Sequence, residues 1–156
     1  MLQAHRLAIE CRAARTEDEL AGHYAVRHRV FVDEQGIFAG SDRDRHDLDP
    51  ATVHVVGLVD GVVGGAVRLF PLDEAARRWQ GDRLSVLRGY RTQGLGAPLV
   101  RCAVLLAGAS GGTVMIAHIQ LANVAFFRRL GWECDGGVET YAGLPHQPML
   151  IGLRQE

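Results

Sequence analysis

Residues Arg88-Gly89-Tyr90-Arg91-Thr92-Gln93-Gly94-Leu95-Gly96-Ala97 read RGYRTQGLGA, in which Arg91, Gly94 and Gly96 give the spacing R-x-x-G-x-G. Their neighbours decide what that spacing means. Arg83 to Leu87 reads as a short strand, while Leu99, Val100, Ala103, Val104 and Ala107 recur at helical spacing and predict a helix over Ala97 to Gly108, with Gly108 as its stop. The unit is strand, glycine turn, helix. The first amides of a helix have no intrahelical partner and the helix dipole adds partial positive charge, so an anion docks readily at such a turn. Glycine at 94 and 96 lets the main chain come close to it. No Gly-Lys-Ser/Thr follows, which removes a Walker loop, and the third position after Gly96 is Leu99, which removes G-x-G-x-x-G.

Working outward, Leu7 to Arg12 alternates apolar and polar residues, and Thr16 with Glu19 three positions on reads as a capping box. A strand therefore hands over to a helix from about Glu17 to Val32, its apolar face built from Leu20, Tyr24, the stem of Arg27 and Phe31. The run SDRDRHDLDP, residues 41 to 50, has neither helical nor strand periodicity and is expected to be a loop, either solvated or substrate-contacting. Thr52 to Val59 and Val62 to Phe70 are β-branched-rich runs joined by Asp60-Gly61, a strong hairpin signal. After a connection containing Trp79 and the glycine unit come a buried strand Thr113 to Ile119, a short helix Asn123 to Leu130 closed by Gly131, and short strands at Trp132 to Cys134 and Met149 to Leu153. This order predicts an α/β fold with a mixed sheet.

Composition limits the function. A formal net charge of -1 removes the broad attraction that non-specific nucleic-acid or anionic-membrane binders need, so phosphate binding must be local. Cys102 to Phe127 carries no Asp, Glu, Lys or Arg and is long enough to span a bilayer, but Gly108 to Gly112 would break a helix there and His118, Gln120 and Asn123 are unsuited to hydrocarbon. No signal or targeting segment is read at either end, so a cytoplasmic protein of one domain, residues 1–156, is expected. Cys11, Cys102 and Cys134 lack C-x-x-C spacing, and the His residues lack H-x-x-x-H spacing; buried free thiols and no metal are expected.

At this point the glycine turn resembles the acyl-CoA-binding motif of the GNAT N-acetyltransferase superfamily, and Asn123 to Trp132 (NVAFFRRLGW) resembles that family's helix and turn beside the pantetheine arm. The segments VRHRVFVDEQGIF, DRDRHDLDP, GAVRLFPL, QGDRLSVL and PHQPM are similar to the GNAT proteins encoded beside nitrilases in bacterial gene clusters and, more distantly, to autoinducer-synthase-like GNATs. The resemblance runs from about Leu7 to Leu153. It implies a mostly antiparallel sheet of six to seven strands flanked by about four helices, with acetyl-CoA as acyl donor. Backbone groups of Ser85, Val86 and Leu87 would run beside the pantetheine, and the main chain of Thr92, Gln93, Gly94, Leu95, Gly96 and Ala97 would hold the pyrophosphate near Arg91. Asn123, Phe126 and Phe127 would border the arm.

Acetyl transfer to an amine needs a base, a donor for the carbonyl oxygen and often an acid for the thiolate. Glu34, Asp82 and His118 are the candidate bases. The resembled family often has Tyr as the acid where this chain has Phe127; water, Tyr141 or His146 are the substitutes. Arg68, a lone charge among apolar neighbours, needs a partner such as Asp42, Asp44 or Asp47, and Arg68, Asp44 and Asp47 form an expected acceptor-binding wall. The expected acceptor is a small-molecule amine, with no nucleic-acid or membrane partner and a homodimer left open. The competing readings are a non-catalytic CoA-binding or sensing module and an acyl-homoserine-lactone-type synthase.

Overall fold

The computed structural model describes residues 8–154, so Leu7, where the opening strand was expected to begin, lies outside the described residues. Strand β1 (Ile9–Ala13) leads to helix α1 (Glu17–His28), whose N-cap Thr16 accepts a hydrogen bond from the Glu19 amide at 3.1 Å. The reciprocal half of the capping box is displaced by one residue: the Glu19 carboxylate takes the Arg15 amide at 2.8 Å and grips the Arg12 guanidinium at 2.7 Å. The chain stays helical beyond His28 but widens into a π turn, Arg29–Glu34, so the expected helix to Val32 is two kinds of helix. Arg27 is buried whole rather than by its stem alone, beside His23, Val26, Val30 and Phe31.

The hairpin forms as expected, β2 (Val53–Val59) and β3 (Val62–Pro71) turning through Asp60 and Gly61, both at positive φ (49° and 82°) as the tight right-twisted turn requires. Strand β4 spans Arg78–Val86, five residues longer at its start than expected, because RWQGDRLSV alternates buried and half-buried positions and Trp79 is part of it. Helix α2 (Gly96–Ala109) runs one residue past Gly108, and Gly111, at φ 92°, follows its C-cap Ser110. Gly108 is glycine for another reason: a Cβ there would stand 2.3 Å from the Arg154 carbonyl oxygen, where the chain end crosses the helix.

Strand β5 (Val114–Gln120) and helix α3 (Val124–Arg129) follow, then β6 (Glu133–Cys134), β7 (Glu139–Tyr141) and β8 (Leu144–Gly152). Strand β7 was not expected, and β8 begins well before Pro148, which lies within it opposite His118. The eight strands form one sheet in the order β1-β2-β3-β4-β5-β8-β6, with β7 also paired to β8. Every pairing is antiparallel except β4 with β5. The SDRDRHDLDP run is not wholly irregular either: Arg45–Leu48 is a 3-10 turn closed by an Asp44/Asp47 capping box.

Successive residues of a strand face opposite sides, and β2 and β3 follow that rule. Val55, Val67 and Leu69 join Leu95, Leu99, Val100 and Ala103 of α2 in the main core. Val26 of α1 and Val30 of the π turn are as deeply buried, outside that cluster. Cys11 and Cys102 are half-buried thiols, Cys11 pushed up to about 11 by burial first and by Cys102 second, while Cys134 is exposed, contrary to expectation. Among the described residues, no helix is long and apolar enough to cross a membrane.

Candidate active site

Strands β4 and β5 pair only through Arg78–Gln80 and Val114–Ile116. Beyond that point they part, leaving the edge of β4 from Gly81 onward open. A bulge helps part them: the β3–β4 register slips between Ala66 and Arg68, and Arg83 takes φ 55°, a costly conformation for a side chain of its size. As a result the consecutive side chains of Asp82 and Arg83 both join the network around the acidic segment, Asp82 through Arg68, which also holds Asp44, and Arg83 directly at Asp42. Arg83 is held by hydrogen bonds from Nε and Nη2 to the Asp42 carbonyl (3.3 and 3.0 Å) and by lying 4.5 Å over the Phe38 ring.

The opening between the strands is a cleft lined by Phe31, Ile37 and Phe38 on the side of the π turn and by His118, Tyr141 and His146 across from them. Inward it reaches Val100, Ala103, Met115, Phe127 and Trp132. At the head of α2, Arg88–Gln93 forms a 3-10 turn and Gly94 sits at φ 72°, open to space where a Cβ would be. The amides of Gly94, Leu95, Gly96 and Ala97 donate to no main-chain acceptor; the first bond of the helix is Leu99 N to Leu95 O at 3.2 Å. No side chain caps this end. A row of free donors at a helix N-terminus is the arrangement that holds a diphosphate.

Two contacts fix that turn in place. Tyr90 lies against Gly64, where a Cβ would come within 2.7 Å of its ring, and Phe126 of α3 lies 3.4 Å from a Cβ built on Gly96. Arg91 reaches back, Nε to the Val86 carbonyl (3.0 Å) and Nη2 to Glu34 (2.8 Å). Of the three residues expected beside pantetheine, Ser85 bonds its hydroxyl to the Arg83 carbonyl (3.2 Å), and Leu87 gives its amide to Gly64 (2.9 Å). Gln93 has a buried side-chain oxygen with no partner, Thr92 precedes it in the turn, and Asn123 ends the 3-10 turn Leu121–Asn123 at the cleft wall.

Below the cleft the acidic segment is pinned by an ionic network. Arg68, fully buried, donates Nε and Nη2 to the two oxygens of Asp82 (2.8 and 2.7 Å) and Nη1 and Nη2 to those of Asp44 (2.6 and 3.1 Å), with Asp47 3.2 Å from Nη1. Arg27 donates to Asp42 (2.7 Å) and Asp47 (2.8 and 3.0 Å), and His54 Nε2 lies 3.0 Å from Asp47. Burial alone would raise the Asp47 carboxyl, but His54 and Arg27 hold it far below the usual carboxylate range. Asp44 follows the same pattern through Arg68. Lone buried charges are costly, and here each guanidinium meets at least two carboxylates.

The three candidate bases are in different surroundings. Glu34 is the partner of Arg91, which holds it below its usual range, and it lies outside the cleft lining, beside Arg88 (3.6 Å). Asp82 faces the cleft with both oxygens taken by Arg68. His118 lines the cleft with a shielded Nδ1 that has no hydrogen-bond partner, 3.9 Å from Glu139, its ring stacked on Tyr141 at 5.0 Å. Sequence reasoning missed the Arg83 bulge and the depth of Arg27. The signal for Arg27 was an arginine on the apolar face of a helix, read there as a stem with its charge in water.

Residues 15–132 match the family model described as the acetyltransferase (GNAT) family. The chain is 28% identical over 138 residues to the uncharacterized N-acetyltransferase YjcF of Bacillus subtilis, covering 88% of this chain and 95% of that one. A crystal structure of an acyl-CoA N-acyltransferase from Pseudomonas aeruginosa is 26% identical, with a TM-score of 0.77 over 93% of this chain and 99% of the other. A solved structure from Lactobacillus plantarum is 25% identical, with a TM-score of 0.81 over 94% and 99%. The parted β4 and β5, the uncapped glycine turn at α2 and this matched span agree, and the chain belongs to the acetyltransferase (GNAT) family.

Proposed function

We propose that the protein transfers an acetyl group from acetyl-CoA to the amine of a small-molecule acceptor. The observation that carries this reading is the row of unpartnered amides from Gly94 to Ala97, lying beside the open edge of β4. Those amides take the pyrophosphate, and the free edge of β4 beyond Gly81 lines up the pantetheine toward the cleft. The acceptor enters between Phe31, Phe38 and Tyr141. Its nitrogen attacks the thioester carbonyl carbon, the C–N bond forms, the C–S bond breaks, and the CoA thiolate departs.

We assign the proton of the attacking amine to His118, because Nδ1 is the one unpartnered basic atom among the three candidates. Glu34 and Asp82 already accept from arginines. No hydroxyl stands at Phe127, so the thiolate leaves as the anion; a thiol with a pKa near that of cysteine, about 8.5, tolerates this. The test is thiol release from acetyl-CoA across a panel of amines. At least one amine should accelerate release, and His118→Gln should cut the rate by roughly 10²-fold or more while leaving acetyl-CoA binding intact. Binding of acetyl-CoA without release for any amine would support a CoA-binding module instead.

A further inference from the structure

Where the acceptor enters, the cleft is walled by rings. Phe31 and Phe38 meet edge to face at 6.5 Å on the side of the π turn, and across from them Tyr141 lies nearly parallel to His118, with ring centres 5.0 Å apart. Ile37, Phe38 and Tyr141 line the cleft half-buried, leaving apolar surface for a substrate to cover. A flat ring set among such faces gains offset or edge-on contacts beyond the area it buries.

Charge decides what else that substrate can carry. Among the described residues, Asp82 and Arg83 are the one carboxylate and the one guanidinium in the lining, and both are already committed. Asp82 holds Arg68 with its two oxygens, and Arg83 lies among Asp42, Asp44 and Asp82 at 3.2, 3.4 and 3.8 Å. Arg68, Asp44 and Asp47, expected as an acceptor wall, do not line the cleft. Within the network the guanidiniums of Arg27, Arg68 and Arg83 meet the carboxylates of Asp42, Asp44, Asp47 and Asp82, which with His54 neutral leaves an excess of one negative charge. Such an excess beside an apolar cleft draws an ammonium ion and repels a carboxylate or phosphate. No uncommitted arginine or lysine lines the cleft to hold an acid group.

From these two observations we infer that the acceptor is an arylalkylamine, a primary amine on an aromatic body with no acid group. The inference rests on the acetyl-transfer reading above and names its acceptor. The ring lies among Phe31, Phe38 and Tyr141, and the network draws the ammonium inward. The ammonium sheds one proton to solvent as it docks. The neutral amine then forms the C–N bond as the C–S bond breaks, its excess proton goes to His118, and CoA leaves as the thiolate.

The test is thiol release from acetyl-CoA at about pH 8 with phenethylamine, hexylamine, phenylalanine and spermidine. Phenethylamine should show a kcat/KM roughly tenfold or more above phenylalanine, which adds only a carboxylate, and above spermidine, which lacks the ring. It should exceed hexylamine by about fivefold. Phe38→Leu keeps an apolar body against Arg83 and removes the ring. That variant should bring phenethylamine down to the level of hexylamine, chiefly through KM, with acetyl-CoA affinity unchanged by calorimetry. Phenylalanine or spermidine serving as well as phenethylamine overturns the inference while leaving the acetyl-transfer reading intact. Hexylamine matching phenethylamine in the unmodified protein overturns its aromatic half. Binding of acetyl-CoA with no release for these or any other amine overturns the reading beneath, and the inference with it.

Discussion

At the scale of single residues, the acidic segment and the two buried arginines show how charge is made tolerable in a small core. Arg27 and Arg68 each meet paired carboxylates at close range, and His23 completes the first set: Nδ1 donates to the Val55 carbonyl at 2.8 Å, and Nε2 accepts from Arg27 at 3.2 Å. That arrangement needs the neutral ring. Burial, ahead of the neighbouring Arg27 charge, lowers His23 from 6.5 to about 3. In the unfolded chain the same ring takes a proton below about pH 6.5, so unfolding is favoured as pH falls from there toward 3. Asp44 and Asp47, lowered in the fold, add to the loss once pH drops through the ordinary carboxylate range near 4. Urea unfolding between pH 7 and 4 should therefore show stability falling with a slope approaching one proton, and His23→Gln should flatten that slope. A wild-type stability independent of pH from 7 to 5 would remove His23 from this role.

Among the elements, the one that matters most is the turn between β4 and α2. It is held from below by Gly64, whose missing side chain makes room for the Tyr90 ring. Gly64→Val should push Tyr90 and the 3-10 turn outward and weaken CoA binding by about tenfold or more, read by calorimetry, with the circular dichroism of the sheet preserved. Unchanged affinity would show that the turn is anchored elsewhere. This turn was legible in the sequence, because its glycines, the strand before and the apolar periodicity after are all local signals. So was the Asp60-Gly61 hairpin. The early start of β4 was not, since Arg78, Gln80 and Asp82 interrupt its apolar pattern and their partners lie on other strands. Nor was β7, three residues long and paired only to β8. Gly108 looked like a helix stop because sequence alone carries no sign of the Arg154 carbonyl beside it.

For the molecule as a whole, the decisive feature is that a sheet sealed along most of its width is open at one place. The β4–β5 pairing ends after three residues, and the uncapped end of α2 stands beside the gap. The candidate site was legible in part: its phosphate end followed from Gly94 and Gly96, while the ionic bracing of Asp82 and the shielded Nδ1 of His118, without a hydrogen-bond partner, depended on contacts between distant segments. A ligand that binds only the folded state stabilises it by about 2.7 kcal/mol at a hundred times its Kd, and a chain of this size gains roughly 2–4 °C per kcal/mol. The most direct measurement is thermal unfolding with and without saturating acetyl-CoA, for the protein and for Gly94→Val, which forces a β-branched side chain into φ 72°. The account predicts a rise of roughly 5–10 °C for the protein and little or none for the variant. No rise for the protein itself would contradict it.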